Sequence, residues 1–248
     1  MAAKKPKKKQ SIRNSEYYNT QECFDQLYQD SLHRKRFTQL MDIVTSEENI
    51  MLAYRSIKKN KGSKTKGTNN STIVQMGEKA PNELISYVRK RLQNFHPHAI
   101  RRVEIPKPDG RLRPLGIPTI EDRIIQQCIK QVLEPICEAK FYKHSYGFRP
   151  NRSAHHAIAR AMFLANQSGF HFVVDVDIKG FFDNVNHGKL LKQLWTLGIQ
   201  DKQLLRVLSK MLKAPIAGVG IPEKGVPQGG ILSPLLANVV LNELDWWI

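Results

Sequence analysis

Three cysteines, Cys23, Cys128 and Cys137, are all that the 248 residues contain, and no two are spaced as a Cys-x-x-Cys pair. That excludes a disulfide framework and a thiol-based zinc site, and leaves the three as reduced fillers of a core. Long apolar runs are missing too. No stretch approaches the roughly 18 apolar residues of a spanning helix, and the lysine-rich N-terminus is followed by no apolar signal segment. The expectation is a soluble, cytoplasmic chain with no membrane span. Negative charge is scarce: 22 Asp and Glu face 39 Lys and Arg, a formal net charge of +17. A field of that sign makes a polyanion the default partner, nucleic acid first and an anionic membrane surface second. No internal repeat is present. An apolar share of 41% is enough for a real core in one large or two small domains.

Residues 1–13 hold six basic residues and no acid, so an arm over 1–20 is expected to stay disordered until it meets phosphate, or to act only as a solubilising tail. Apolar residues recur at helical spacing between Glu22 and Leu40, and Ser46 opens a second amphipathic helix ending near Ile57. That helix runs into 58-KKNKGSKTKGTNNS-71, with five lysines, two glycines and almost no apolar content, which reads as a flexible basic loop. Lys58, Lys59, Lys61, Lys64 and Lys66 are candidates for RNA-backbone contact, against the alternative of a solvated loop. Helices near 81–95 and 120–140 flank 101-RRVEIPKPDGRLRPLGIP-118, a hairpin turning at Pro-Asp-Gly and carrying Lys107, Arg111 and Arg113 around its tip. Ser153 is placed to cap a helix through Phe163, and Arg149 and Arg152 just before it join the RNA-contact candidates. Further helices are expected at 187–197, 201–213 and from Ser233, the last with Ser233 as N-cap.

The segment 170-FHFVVDVDIKGFFDNVNH-187 gathers the scarce carboxylates Asp175, Asp177 and Asp183. Read as a strand, it puts Phe172, Val174, Val176 and Ile178 on one face and His171, Val173, Asp175 and Asp177 on the other. Two carboxylates about 7 Å apart on one face repel unless a cation or an arginine intervenes. Hard oxygen ligands suit Mg²⁺, which takes one or two protein carboxylates and completes its octahedron with phosphates and water. A strand edge salt-bridged to nearby lysines remains the other option. In 225-GVPQGGILSP-234 three glycines let backbone approach a ligand closely around Gln228, whose amide can bond a sugar or base, or they serve only as a helix-entry turn.

Four segments in order, IPKPDGRLRPLGIP, YGFRPNRSAHHA, VDVDIKGFFDNVNH and GVPQGGILSPLLANVVLNELD, resemble the reverse transcriptases encoded by group II introns, and upstream TSEENIMLAYRSIKKNKGSKTKG is similar to their N-terminal extension. The resemblance implies an α+β right-hand polymerase, with helices packed on small antiparallel sheets. It divides the chain into an N-terminal extension and fingers helices over 21–100, fingers over 101–168, and a partial palm over 169–248. It further implies that Asp177 is the catalytic aspartate holding two Mg²⁺ ions with help from the Ile178 carbonyl. Phe182 matches the aromatic that excludes a 2′-hydroxyl, Lys107 and Arg113 the grip on the triphosphate, and Gln228 the nucleotide site. The implied partners are group II intron RNA, an RNA template with a DNA primer, and deoxynucleoside triphosphates. The Tyr-x-Asp-Asp hairpin that supplies the other metal ligands occurs nowhere. The chain is therefore expected to stop before that hairpin, and alone to bind RNA without polymerising. Trp246, Trp247 and Ile248 are expected to face missing core, or to dock a second copy as a homodimer. A non-catalytic splicing factor on a polymerase scaffold is the alternative function.

Overall fold

The computed structural model describes residues 15–106, 110 and 112–248. Helices α1 (Gln21–Leu32), α2 (Leu40–Val44), α3 (Glu47–Lys59), α4 (Ile73–Gly77) and α5 (Pro81–Gln93) precede an antiparallel hairpin of β1 (Arg101–Pro106) and β2 (Leu112–Ile117). Further helices follow: α6 (Ile120–Glu138), α7 (Ala154–Gln167), α8 (Phe181–Asn184), α9 (His187–Thr196), α10 (Lys202–Leu212) and α11 (Ser233–Trp247).

The core is organised around α6. Thr119 caps it by accepting from the Asp122 amide, and Ile124, Ile125, Ile129, Leu133 and Ile136 are wholly buried. Both α1 and α3 pack along it. Buried polar stitches fix their register: Ser31 Oγ donates to the Ile136 carbonyl at 2.8 Å, and Asn49 Nδ2 to the Cys128 carbonyl at 3.0 Å. Gln131 Nε2 in turn donates to Asn49 Oδ1 at 2.7 Å. At the start of α6, buried Asp122 accepts from Arg91 of α5 at 2.5 Å and from the His98 amide at 2.7 Å. Cys128 and Cys137 are free and buried, and burial pushes both thiols well above their ordinary range, so they are unreactive. Among the described residues no helix is long and apolar enough to cross a membrane.

Ser46 caps α3 and Ser153 caps α7, as expected. The hairpin also forms, with Val103 opposite Leu115 and Ile105 opposite Arg113. Four expectations need correction. The helix begun at Glu22 ends at Leu32, because Arg34 turns left-handed (φ 59°) and Phe37 then exchanges backbone bonds with Gly198 and Gln200. Ser233 does not cap α11; it is the first helical residue, and its hydroxyl donates to the Pro227 carbonyl at 2.7 Å. The basic loop is not free. Lys61–Lys64 form a 3₁₀ turn, buried Arg123 donates to the carbonyls of Gly62 (2.9 Å) and Thr65, and Arg101 donates to that of Lys66 at 2.8 Å. Lastly, residues 170–178 carry no strand and are exposed throughout. A strand exists only through bonds to a neighbour, and among the described residues none pairs with this one.

Candidate functional site

The loop at 225–230 is fixed from several sides. On one, the Gly116 amide of β2 donates to the Gln228 carbonyl at 2.6 Å. Gly229 (φ 104°) lies so close that a Cβ there would sit 2.5 Å from the Gly116 carbonyl oxygen. On the other, the Val226 amide donates to the Phe182 carbonyl at 2.8 Å, the Gly225 amide to the Val185 carbonyl at 2.7 Å, and His187 Nε2 to the Gly225 carbonyl at 2.7 Å. From beneath, Gln126 Oε1 accepts from the Ile231 amide at 2.9 Å. Only glycine meets the demands at 229. Gly229→Ala is therefore expected to lower unfolding free energy by about 1–3 kcal/mol in a denaturant titration, through left-handed strain and the carbonyl clash.

This scaffold joins two of the expected nucleotide residues. Arg113 Nε donates to Gln228 Oε1 at 2.8 Å across 115 positions of sequence. The bond occupies the amide oxygen and leaves the amide N–H groups as donors. Next to the pair lies a cavity of about 230 Å³ lined by Arg102, Gly116, Asp183, Ile216, Pro227 and Gln228. Phe182 is half-buried, set edge-on to Phe181 at 5.6 Å, and its backbone holds the same loop. Lys107 and Arg111 lie outside the described residues.

Asp175, Asp177 and Ile178 stand on the exposed segment. Among the described residues neither aspartate is ion-paired or accepts a hydrogen bond, and no three His, Cys, Asp or Glu side chains converge. Two accessible carboxylates fit one or two positions of a Mg²⁺ octahedron. The turn after them is fixed by Asn184, whose Nδ2 donates to the Gly180 carbonyl at 3.0 Å, and not by the Asp183 side chain.

Of the expected RNA contacts, Lys58, Lys59, Lys61, Lys64 and Lys66 are exposed on the pinned turn and the end of α3. Lys59 and Arg152 line one open groove of about 710 Å³ between α1, α3 and α6, so the structure brings together two residues 93 positions apart. Arg149 is a correction. Its side chain is 3% exposed, pairs with Glu138 at 2.9 Å, and donates to the carbonyls of Tyr142 (2.6 Å) and Ser145 (3.0 Å). With four of its five N–H groups engaged inside the fold and its side chain buried, this guanidinium is withdrawn from contact with RNA. The anchors Arg101 and Arg123 were not singled out in the sequence, where nothing distinguishes them from other arginines.

A family model described as reverse transcriptase (RNA-dependent DNA polymerase) matches residues 105–248. The chain belongs to the reverse transcriptase family. It is 38% identical over 221 residues to protein YkfC of Escherichia coli, covering 86% of this chain and 58% of that one. It is 36% identical over 234 residues to the group II intron-encoded protein LtrA of Lactococcus lactis, covering 93% of this chain and 37% of that one. The chain thus spans little more than half, or less, of these relatives. A solved Cas6-RT-Cas1–Cas2 complex, partial, resembles it with a TM-score of 0.53 at 26% identity, over 84% of this chain and 34% of that one. The α+β class and the group II intron resemblance are borne out.

Proposed function

We propose that this reverse transcriptase chain forms the fingers and the beginning of the palm of an RNA-directed DNA polymerase and intron maturase, divided near residues 100 and 168. The full-length protein binds group II intron RNA, assists its splicing and copies it, in the cytoplasm, from a DNA primer and deoxynucleoside triphosphates. The Arg113–Gln228 contact carries the reading, because two residues matched to the nucleotide site on sequence alone are hydrogen-bonded to each other in the fold. Arg113 presents its remaining N–H groups to the triphosphate, together with Lys107. Gln228 holds the sugar and base edge through its amide N–H groups. Phe182 stands where a 2′-hydroxyl would enter, making the product DNA. Asp177, with the Ile178 carbonyl and Asp175 nearby, is the site for Mg²⁺. When bound, the metal supplies Lewis-acid activation of the primer 3′-hydroxyl and charge neutralisation on the leaving pyrophosphate. The 248 residues by themselves are expected to bind RNA without polymerising, since no Tyr-x-Asp-Asp carboxylates join Asp177. Trp246, whose Nε1 donates to the Lys140 carbonyl at 3.1 Å, is exposed together with Trp247 and Ile248, and through these three residues a homodimer would form.

Steady-state primer extension on an RNA template tests the nucleotide site. Arg113→Ala in the full-length protein is expected to raise the deoxynucleotide KM about 10- to 100-fold, the worth of one charge-assisted bond. Gln228→Ala should raise it less, and the double variant should fall short of the product of the two, as coupled neighbours do. Independent, multiplicative effects would mean that the pair does not act as one site.

A further inference from the structure

Residues 139–174 contain no Asp or Glu but carry Lys140, Lys143, Arg149, Arg152 and Arg160. Within them the loop from Tyr142 to Arg152 is held rigidly. Arg149 grips the Tyr142 and Ser145 carbonyls from inside, and Asn238 of α11 donates to the Gly147 carbonyl at 2.8 Å. Between those anchors, Phe148 adopts a left-handed backbone (φ 55°) and is 69% exposed. A bulky aromatic rarely occupies that region, and glycine or asparagine would sit there with less strain. The core gains little from the ring either. A strained residue that contributes little packing is placed for something outside the fold.

Its surroundings say what. Arg152 lies over the Tyr146 ring at 5.7 Å, Tyr146 Oη lies 3.2 Å from His144 Nδ1, and Arg160 Nε has no hydrogen-bond partner among the described residues. Desolvation first, and then the charges of Arg160, Lys143 and Arg152, lower the pKa of His144. Beyond Arg152 runs the groove that also holds Lys59. Two of its three acids are ion-paired, Glu138 with Arg149 and Glu134 with Lys130 at 3.1 Å, while Asp25 accepts from the Gln21 amide at 2.9 Å. An exposed ring fixed among cations, beside an open groove lined by Lys59 and Arg152, matches the way single strands are held, by base stacking and backbone neutralisation.

We propose that Phe148 is a stacking platform for an unpaired RNA base, with Arg152 neutralising the adjoining phosphate as the strand enters the Lys59 groove. This rests on the reading that the chain binds RNA. Fluorescence anisotropy with a labelled single-stranded oligoadenylate and with a fully paired RNA duplex, across a salt series, tests it. Phe148→Gly, which relieves the left-handed strain, should keep or raise the melting temperature while weakening single-strand binding about tenfold and leaving the duplex unchanged. Phe148→Trp should restore single-strand binding. Arg152→Gln should flatten the salt slope by about one. Unchanged single-strand affinity for Phe148→Gly, an equal loss on the duplex, or a lowered melting temperature would overturn the platform alone. Wild-type chain that bound neither RNA would overturn the RNA-binding reading beneath it.

Discussion

Asp177→Asn in the full-length protein is expected to reduce RNA-templated DNA synthesis by roughly a thousandfold or more, while RNA affinity stays within about twofold. The substitution keeps the size and the carbonyl oxygen and removes the charge on which a hard divalent cation depends. Because Asp177 is exposed and engages no partner among the described residues, nothing in the fold is lost with it, so the melting temperature should not move. That separates a ligand from a structural acid. Primer extension at saturating deoxynucleotide, with filter binding on the same preparations, reads both quantities. Substantial synthesis by the variant would remove Asp177 as the metal ligand. Absence of synthesis by wild type as well, with RNA binding retained, would favour a splicing factor on a polymerase scaffold.

Elements whose determinants are local were legible in the sequence. Ser46 before an apolar stripe, Ser153 three residues before His156, and the alternation of Val103 and Ile105 in β1 each fix their structure within a few positions, whereas Pro108 and Asp109 of the expected turn lie outside the described residues. The Arg113–Gln228 contact was legible only as two separate candidates, since a hairpin and a loop 115 residues apart give no sign of meeting. The misreadings share that cause. Period-two alternation in 171–178 states which side chains would share a face, but a strand needs a second strand, and sequence cannot show whether one is present. The basic loop has the composition of a flexible one; Arg101 and Arg123 come from distant elements to bind its carbonyls. Arg149 and Arg152 stand three residues apart as the same residue type, yet one is buried against Glu138 and the other lines a groove. Charge is visible in sequence, and burial of charge is not.

Arg149→Met should be the most damaging single substitution in the loop, lowering unfolding free energy by about 3 kcal/mol in a denaturant titration. The methionine fills much of the space but leaves Glu138 without its partner and the Tyr142 and Ser145 carbonyls without donors. It also removes the guanidinium lying 5.2 Å from the Phe141 ring centre. Arg149→Lys should recover little, because a single ammonium cannot reproduce a fork that serves a carboxylate and two carbonyls together. Pairing Arg149→Met with Glu138→Gln should return part of the loss, since the stranded charge goes while the bare carbonyls stay. Because the same guanidinium holds the loop carrying Phe148, the Met variant should weaken single-strand RNA binding as well as stability, whereas Phe148→Gly weakens binding alone. A stable Arg149→Met variant with weakened binding would instead return Arg149 to the RNA interface and undo its assignment as an internal clamp.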